Sequence, residues 1–160
     1  MKKLILLIVF TVLSLTVGHS QSNWRIGLNV GIPTGDVHDV STFNFGGDVA
    51  YLFDVTDVLS VGPLVGYSHF FGEKDFEDFS FVPLAASGRF SFSDAFFVGA
   101  DLGYAIAVDK GNDGGFFYRP KLGYNFGNLA LIGSYSGIEV KNNGLSSTFG
   151  SINLGIELGF

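Results

Sequence analysis

Apolar and polar residues alternate with a period of two along most of the chain. The alternation is strictest at its end. Ile152, Leu154, Ile156, Leu158 and Phe160 share one face there, and Ser151, Asn153, Gly155, Glu157 and Gly159 share the other. This pattern predicts a β-strand with one apolar and one polar face. Its length suffices to cross a bilayer when tilted. Seven further stretches repeat it, so strands are predicted over 23–32, 43–53, 59–70, 79–92, 95–107, 115–126, 129–140 and 148–160. Two of them read less cleanly. Pro63 interrupts the third, because proline removes a ladder donor, and the faces of the seventh hardly differ.

The connections also alternate. Polar loops rich in Gly, Asp and Asn follow the first, third, fifth and seventh strands. Short turns follow the others, among them the two-residue hairpin turn Gly127-Asn128. An even number of antiparallel strands with long loops at one rim and short turns at the other predicts an all-β, eight-stranded up-and-down transmembrane barrel. On that pattern the long loops are extracellular and both termini periplasmic.

The segment before the first strand reads as a signal peptide, residues 1–20. Lys2 and Lys3 precede the apolar run Leu4 to Val17, and Gly18-His19-Ser20 supplies small residues for a cut before Gln21. The run is too short for a spanning helix. Residues 21–160 then form the barrel domain. Without Lys2 and Lys3 the nine basic residues become seven, against fifteen acidic, for a net charge of −8. That balance excludes nucleic acid as a partner, since phosphate binding needs a basic patch. With no cysteine there is no disulfide and no thiol metal site.

Volume decides which face points outward. An eight-stranded barrel has an interior just wide enough for its own side chains. The polar face carries Gly27, Gly31, Gly46, Gly62, Gly66, Gly99, Gly103, Gly123, Gly155 and Gly159, whereas the other face carries nearly all the bulky aromatic and aliphatic residues. The apolar face is therefore expected to meet lipid. Aromatics collect near the strand ends, with Trp24, Tyr51, Phe53, Phe90, Phe92, Phe96, Tyr124, Phe126 and Phe160 toward one rim. Phe43, Phe45, Tyr67, Tyr104, Phe116, Tyr118 and Tyr135 lie toward the other. Two such girdles are expected at the lipid–water interfaces.

Gly27-Leu28-Asn29-Val30-Gly31-Ile32-Pro33-Thr34-Gly35-Asp36 and the terminal Phe160 make the chain resemble the small eight-stranded outer-membrane β-barrels of Gram-negative bacteria, the OmpX-like and OmpA transmembrane-domain-like proteins. The resemblance implies insertion into outer-membrane lipid, a monomer, and Phe160 as part of the assembly signal read by the barrel assembly machinery. It implies no catalysis and no cofactor, and leaves any extracellular partner unnamed.

Candidate chemistry is sparse. Arg25, Asp48, Arg89, Asp101, Arg119, Lys121 and Glu157 all fall on lumen-facing positions. They would either line a selective pore or pair into a polar plug, since buried charges persist when paired. Cross-strand spacing predicts Asp101 held by Arg119 or Lys121, with Arg89 on its other side. Glu73, Asp75, Glu77 and Asp78 form an acidic extracellular loop, by default a solvated one, with a weak site for a divalent ion or a cationic partner as the alternative. Asp109 to Gly114 is similar to a calcium loop but lacks the third-position acid, and Pro120 stands where the bidentate Glu belongs. His38 sits between Asp36 and Asp39 in the first loop. Ser68 and His69 are adjacent on a strand, so they point to opposite faces and cannot form a nucleophile–base pair. The expected function is a non-enzymatic outer-membrane barrel with a plugged lumen. A small-solute pore and a soluble periplasmic ligand-binding barrel are the alternatives.

Overall fold

The computed structural model describes residues 23–35, 41–72, 78–108, 114–142 and 145–160. The proposed signal peptide, His38, Glu73, Asp75, Glu77 and most of the calcium-like loop lie outside these. The strands are β1 Trp24–Gly35, β2 Ser41–Tyr51, β3 Phe53–Asp54, β4 Leu59–Gly72, β5 Phe79–Ser91, β6 Phe96–Ala107, β7 Gly115–Phe126, β8 Leu129–Asn142 and β9 Leu145–Gly159. Two-residue β3 continues β2 past Leu52 along the same neighbour, pairing Phe53 with Val61 and Asp54 with Ser60. The two together make one wall strand, so the barrel has eight.

Every strand pairs antiparallel with its neighbour in the chain, and β1 pairs with β9 to close the ring. The order around it is β1, β2, β4, β5, β6, β7, β8, β9. Full closure leaves no sheet edge, the condition for a β structure in lipid. The strands run longer at the long-loop rim than the alternation predicts; β4 reaches Gly72 and β9 begins at Leu145. At the other rim the turns are tight. Gly127 takes φ of 72° between the paired residues Phe126 and Leu129, a conformation that glycine adopts without steric cost. In the turn before β4, Thr56 Oγ1 accepts from the Leu59 N–H at 3.0 Å. In the turn before β6, Ser93 Oγ accepts from the Phe96 N–H at 3.0 Å.

The two faces separate as their chemistry requires. Leu102, Leu122 and Leu154 are 54, 54 and 58% exposed, an arrangement that an aqueous protein avoids over so wide a surface. The opposite face is buried. Rings meet in pairs at both ends of the outer wall: Trp24 against Tyr51, Phe96 against Tyr124 and Tyr124 against Phe126 at the short-turn rim. Phe43 against Phe71 and Phe116 against Tyr118 meet at the long-loop rim. Among the described residues no helix is long and apolar enough to cross a membrane.

The interior departs from the expectation that bulky rings stay outside. Phe70, Phe81, Phe97, Phe117 and Ile138 are fully or nearly fully buried in the lumen. Glycines make the room. The Phe97 ring lies where a side chain on Gly123 would be, and Gly103 is backed directly by the β5 backbone. This also explains the poorly sorted faces of β8, which turns Ala130, Ile138 and Val140 inward.

Candidate functional site

The lumen is filled in layers, counted from the short-turn rim. Near that rim Arg89, on β5, crosses to Glu157, on β9, in a buried ion pair. Its guanidinium also lies 3.8 Å from the centre of the Phe97 ring, a cation–π contact. Arg25 sits at the mouth against Gly159, and its buried Nε has no partner. The next layer centres on Arg119. Its Nη1 donates to Asp48 and its Nε to Asp101, each at 2.7 Å. Lys121 Nζ donates to the other Asp101 oxygen at 2.8 Å and stands 3.2 Å from Ser87 Oγ. Asp101 is fully buried, so two cations and a hydroxyl around it are what allow its charge to persist there.

One partner differs from the sequence expectation. Ser87 stands opposite Asp101 and Arg89 faces Gly99, one diagonal step away, yet Arg89 does not pair with Asp101. That glycine leaves the guanidinium room to swing across the barrel to Glu157. In a ring of eight strands β5 and β9 stand diametrically opposite, and so do β2 and β7. Arg89–Glu157 and Arg119–Asp48 are therefore two struts across the lumen, set at right angles around the ring. Alternation could place these side chains inward but could not show which wall each would reach.

Two further layers fill the rest, one polar and on the face the alternation marks as polar, one aromatic and unmarked by it. Asn44 Nδ2 donates to Asn153 Oδ1 at 2.9 Å, Asn153 Nδ2 donates to Ser136 Oγ at 3.0 Å, and the Ser136 and Ser151 hydroxyls lie 2.8 Å apart. Above them Phe70, Phe81, Phe117, Ile138 and Val140 pack with Phe79 and Phe149. Phe149 makes edge contacts with Phe70, Phe79 and Phe81 at 6.0, 5.3 and 5.1 Å between centroids. Two cavities beside Arg119 hold about 20 and about 10 Å³, room for roughly one water each. A wider recess lined by Arg25, Asp54, Ser60, Arg89 and Asn125 opens at the short-turn rim. Phe160 is tied to β1 through its N–H, which donates to the Trp24 carbonyl at 3.0 Å.

On the outer wall near the long-loop rim, His69 and Ser68 do point to opposite faces. His69 instead reaches across to β5, its Nδ1 2.9 Å from Ser80 Oγ. The Tyr67 hydroxyl donates to the same oxygen at 3.0 Å. Asp78, the described member of the acidic loop, accepts from the Gly72 N–H through Oδ1 at 2.8 Å. It holds Oδ2 3.4 Å from His69 Nε2. A search limited to neighbours along the chain misses this group, because its members meet only through the β4–β5 register. Among the described residues no cluster of acids and histidines is arranged to hold a metal ion.

Compared by sequence, the chain matches no family model and no curated protein. Compared by structure, it has the fold of the small eight-stranded outer-membrane barrels. It overlays on Ail, the attachment invasion locus protein of Yersinia pestis, with a TM-score of 0.55 and 18% identity, over 87% of this chain and 97% of that one. The outer-membrane enzyme PagL overlays with a TM-score of 0.57 and 16% identity, over 85% of this chain and 99% of that one. A de novo designed transmembrane β-barrel overlays with a TM-score of 0.58 and 15% identity, over 89 and 98% of the two chains. An attachment protein, an enzyme and a designed barrel match about equally well, so the likeness speaks to architecture and leaves function to the sites.

Proposed function

We propose that the chain is an integral outer-membrane barrel that spans the bilayer with a sealed lumen and serves the envelope through its outer surface and loops. The long loops face outside and both termini face the periplasm. The observation that carries the reading is the pairing of a continuous exposed apolar wall with a lumen blocked by side chains. Two cross-lumen ion pairs and an aromatic layer occupy the path a solute would take, and the two cavities beside Arg119 admit about one water each. This supports a plug over a pore, and the lumen has no space for chemistry on a substrate. The outward apolar wall also counts against a soluble binding barrel, whose apolar face would turn in. Phe160 serves assembly, and the barrel acts as a monomer.

Heat-modifiable gel mobility of the membrane fraction tests the placement, because a folded barrel of this kind resists SDS until boiled. Planar-bilayer recording tests the plug. The expected result is a folded, membrane-embedded band with no steady conductance. Steady single-channel opening at neutral pH would favour the pore, and a mature chain soluble without detergent would favour the periplasmic binding barrel.

A further inference from the structure

We propose that Ser80, His69 and Asp78 form a serine-hydrolase site on the lipid-facing wall, directed at the acyl ester of a membrane lipid. The proposal goes beyond the reading above and leaves the lumen as described; the chemistry sits on the outside of the barrel.

The hydrogen bonds run in one consistent direction. Tyr67 donates its proton to Ser80 Oγ. The serine's own proton can then go to His69 Nδ1, 2.9 Å away. With Nδ1 accepting, the histidine carries its proton on Nε2, the nitrogen that faces Asp78 Oδ2 at 3.4 Å. Nucleophile, base and an acid that orients the base are thus in sequence, the arrangement that activates a weak hydroxyl nucleophile. Asp78 is itself held, by the Gly72 N–H.

Position supports a lipid ester as substrate. Ser80 and Phe90 are on the same strand, β5, ten residues apart. Ten residues of strand rise about 33 Å, or about 25 Å in height at the usual tilt of roughly 40°, the height of the apolar band of such barrels. Phe90, 46% exposed, belongs to the girdle at the short-turn rim, which puts Ser80 near the opposite boundary of the band. Acyl esters lie at this boundary, between the hydrocarbon and the headgroups. Ser80 is only 7% exposed while Tyr67 is 43% exposed, so a carbonyl reaches the hydroxyl on a small shift of the Tyr67 ring that keeps the phenol hydroxyl at the site.

The step balances without any further reagent. Ser80 Oγ bonds to the ester carbonyl carbon and its proton passes to His69 Nδ1. The carbon–oxygen bond to the lipid alcohol breaks, and that alcohol leaves with the proton from His69. Water, deprotonated by His69, then cleaves the acyl-serine ester, releasing a fatty acid and restoring the serine. Tyr67, donating to the attacking oxygen at the start, can follow the negative charge to the carbonyl oxygen.

The test uses refolded full-length barrel in detergent, with heat-modifiable mobility confirming that each variant is folded. A fluorophosphonate probe should label one serine, identified as Ser80 by peptide mass. Fatty acid should be released from mixed micelles of a diacyl phospholipid or an acylated glycolipid. Ser80→Ala should abolish both readouts. His69→Gln should lower release by roughly 10²–10⁴-fold, the usual contribution of a positioned base. Asp78 is a positioning residue, so Asp78→Asn should lower kcat and leave KM unchanged. A folded wild type that is not labelled at Ser80, that releases no fatty acid from either lipid, or that keeps its activity in Ser80→Ala overturns the proposal.

Discussion

The two halves of the lumen are filled by opposite chemistry. Toward the short-turn rim the interior is a set of paired charges, two pairs reaching across to the far wall and Asp101 held from the adjacent strand. Toward the long-loop rim it is a cluster of rings that fill space. The charged half depends on pairing. Its members are costly to bury alone, and each holds its place because another stands opposite. The aromatic half depends on volume and tolerates any side chain of the right size. The outer wall is a third environment, where apolar groups face solvent lipid and neither constraint applies.

These differences can be broken by substitution. Asp101→Asn keeps the shape and removes the charge, leaving Lys121 without its acid and Arg119 with Asp48 alone. It should cost about 3–5 kcal/mol in urea unfolding of the refolded barrel. Adding Lys121→Met should recover part of that loss, and a double variant no more stable than Asp101→Asn would show that pairing does not govern this half. Next comes the outer wall. Leu154→Arg, in the middle of the exposed band, should cost on the order of 2–4 kcal/mol in lipid. An unchanged midpoint there would mean that the faces have been assigned the wrong way round. Phe81→Met exchanges a ring for a flexible group of similar size, and it should cost less than about 1.5 kcal/mol. A loss as large as that of Asp101→Asn would erase the contrast between the halves. The smallest effect on stability belongs to deletion of Phe160, about 0.5 kcal/mol or less after refolding in vitro. Its effect should appear in cells, as a lower yield of folded barrel. Equal losses in both assays would make Phe160 an interface anchor only.

The same contrast explains what alternation could and could not reveal. Charges and glycines at every second position mark a lumen face plainly, which is why Arg25, Asp48, Arg89, Asp101, Arg119, Lys121 and Glu157 could be placed inward from parity. Phe117 followed from the same parity, but Phe70, Phe81 and Phe149 did not, because a ring reads as apolar whichever way it points. Only the glycines facing such rings, as Gly123 faces Phe97, carry a trace of the inward bulk. Contacts between strands were legible where spacing on adjacent strands set them, as for Asp101 with Arg119 and Lys121; the others stayed out of reach for a different reason. Ser80 and His69 are eleven residues apart, and their meeting is fixed by a one-residue register that no local pattern encodes. Arg89 shows the same limit from the other side, since its partner Glu157 lies 68 residues away.

The seam between β1 and β9 sets the order of events when the molecule forms. Arg25 faces Gly159 and Gly35 faces Phe149, so the first strand finds its second neighbour only when the last strand has been delivered. Pairings this distant along the chain are slow to form. Until they do, β1 presents an open edge beside a wholly apolar wall, a template for association with other chains. The barrel therefore cannot be matured piece by piece as it emerges. Closure is a single late step that waits for the last strand, which makes protection of the waiting chain as much a requirement of this fold as the pairing itself.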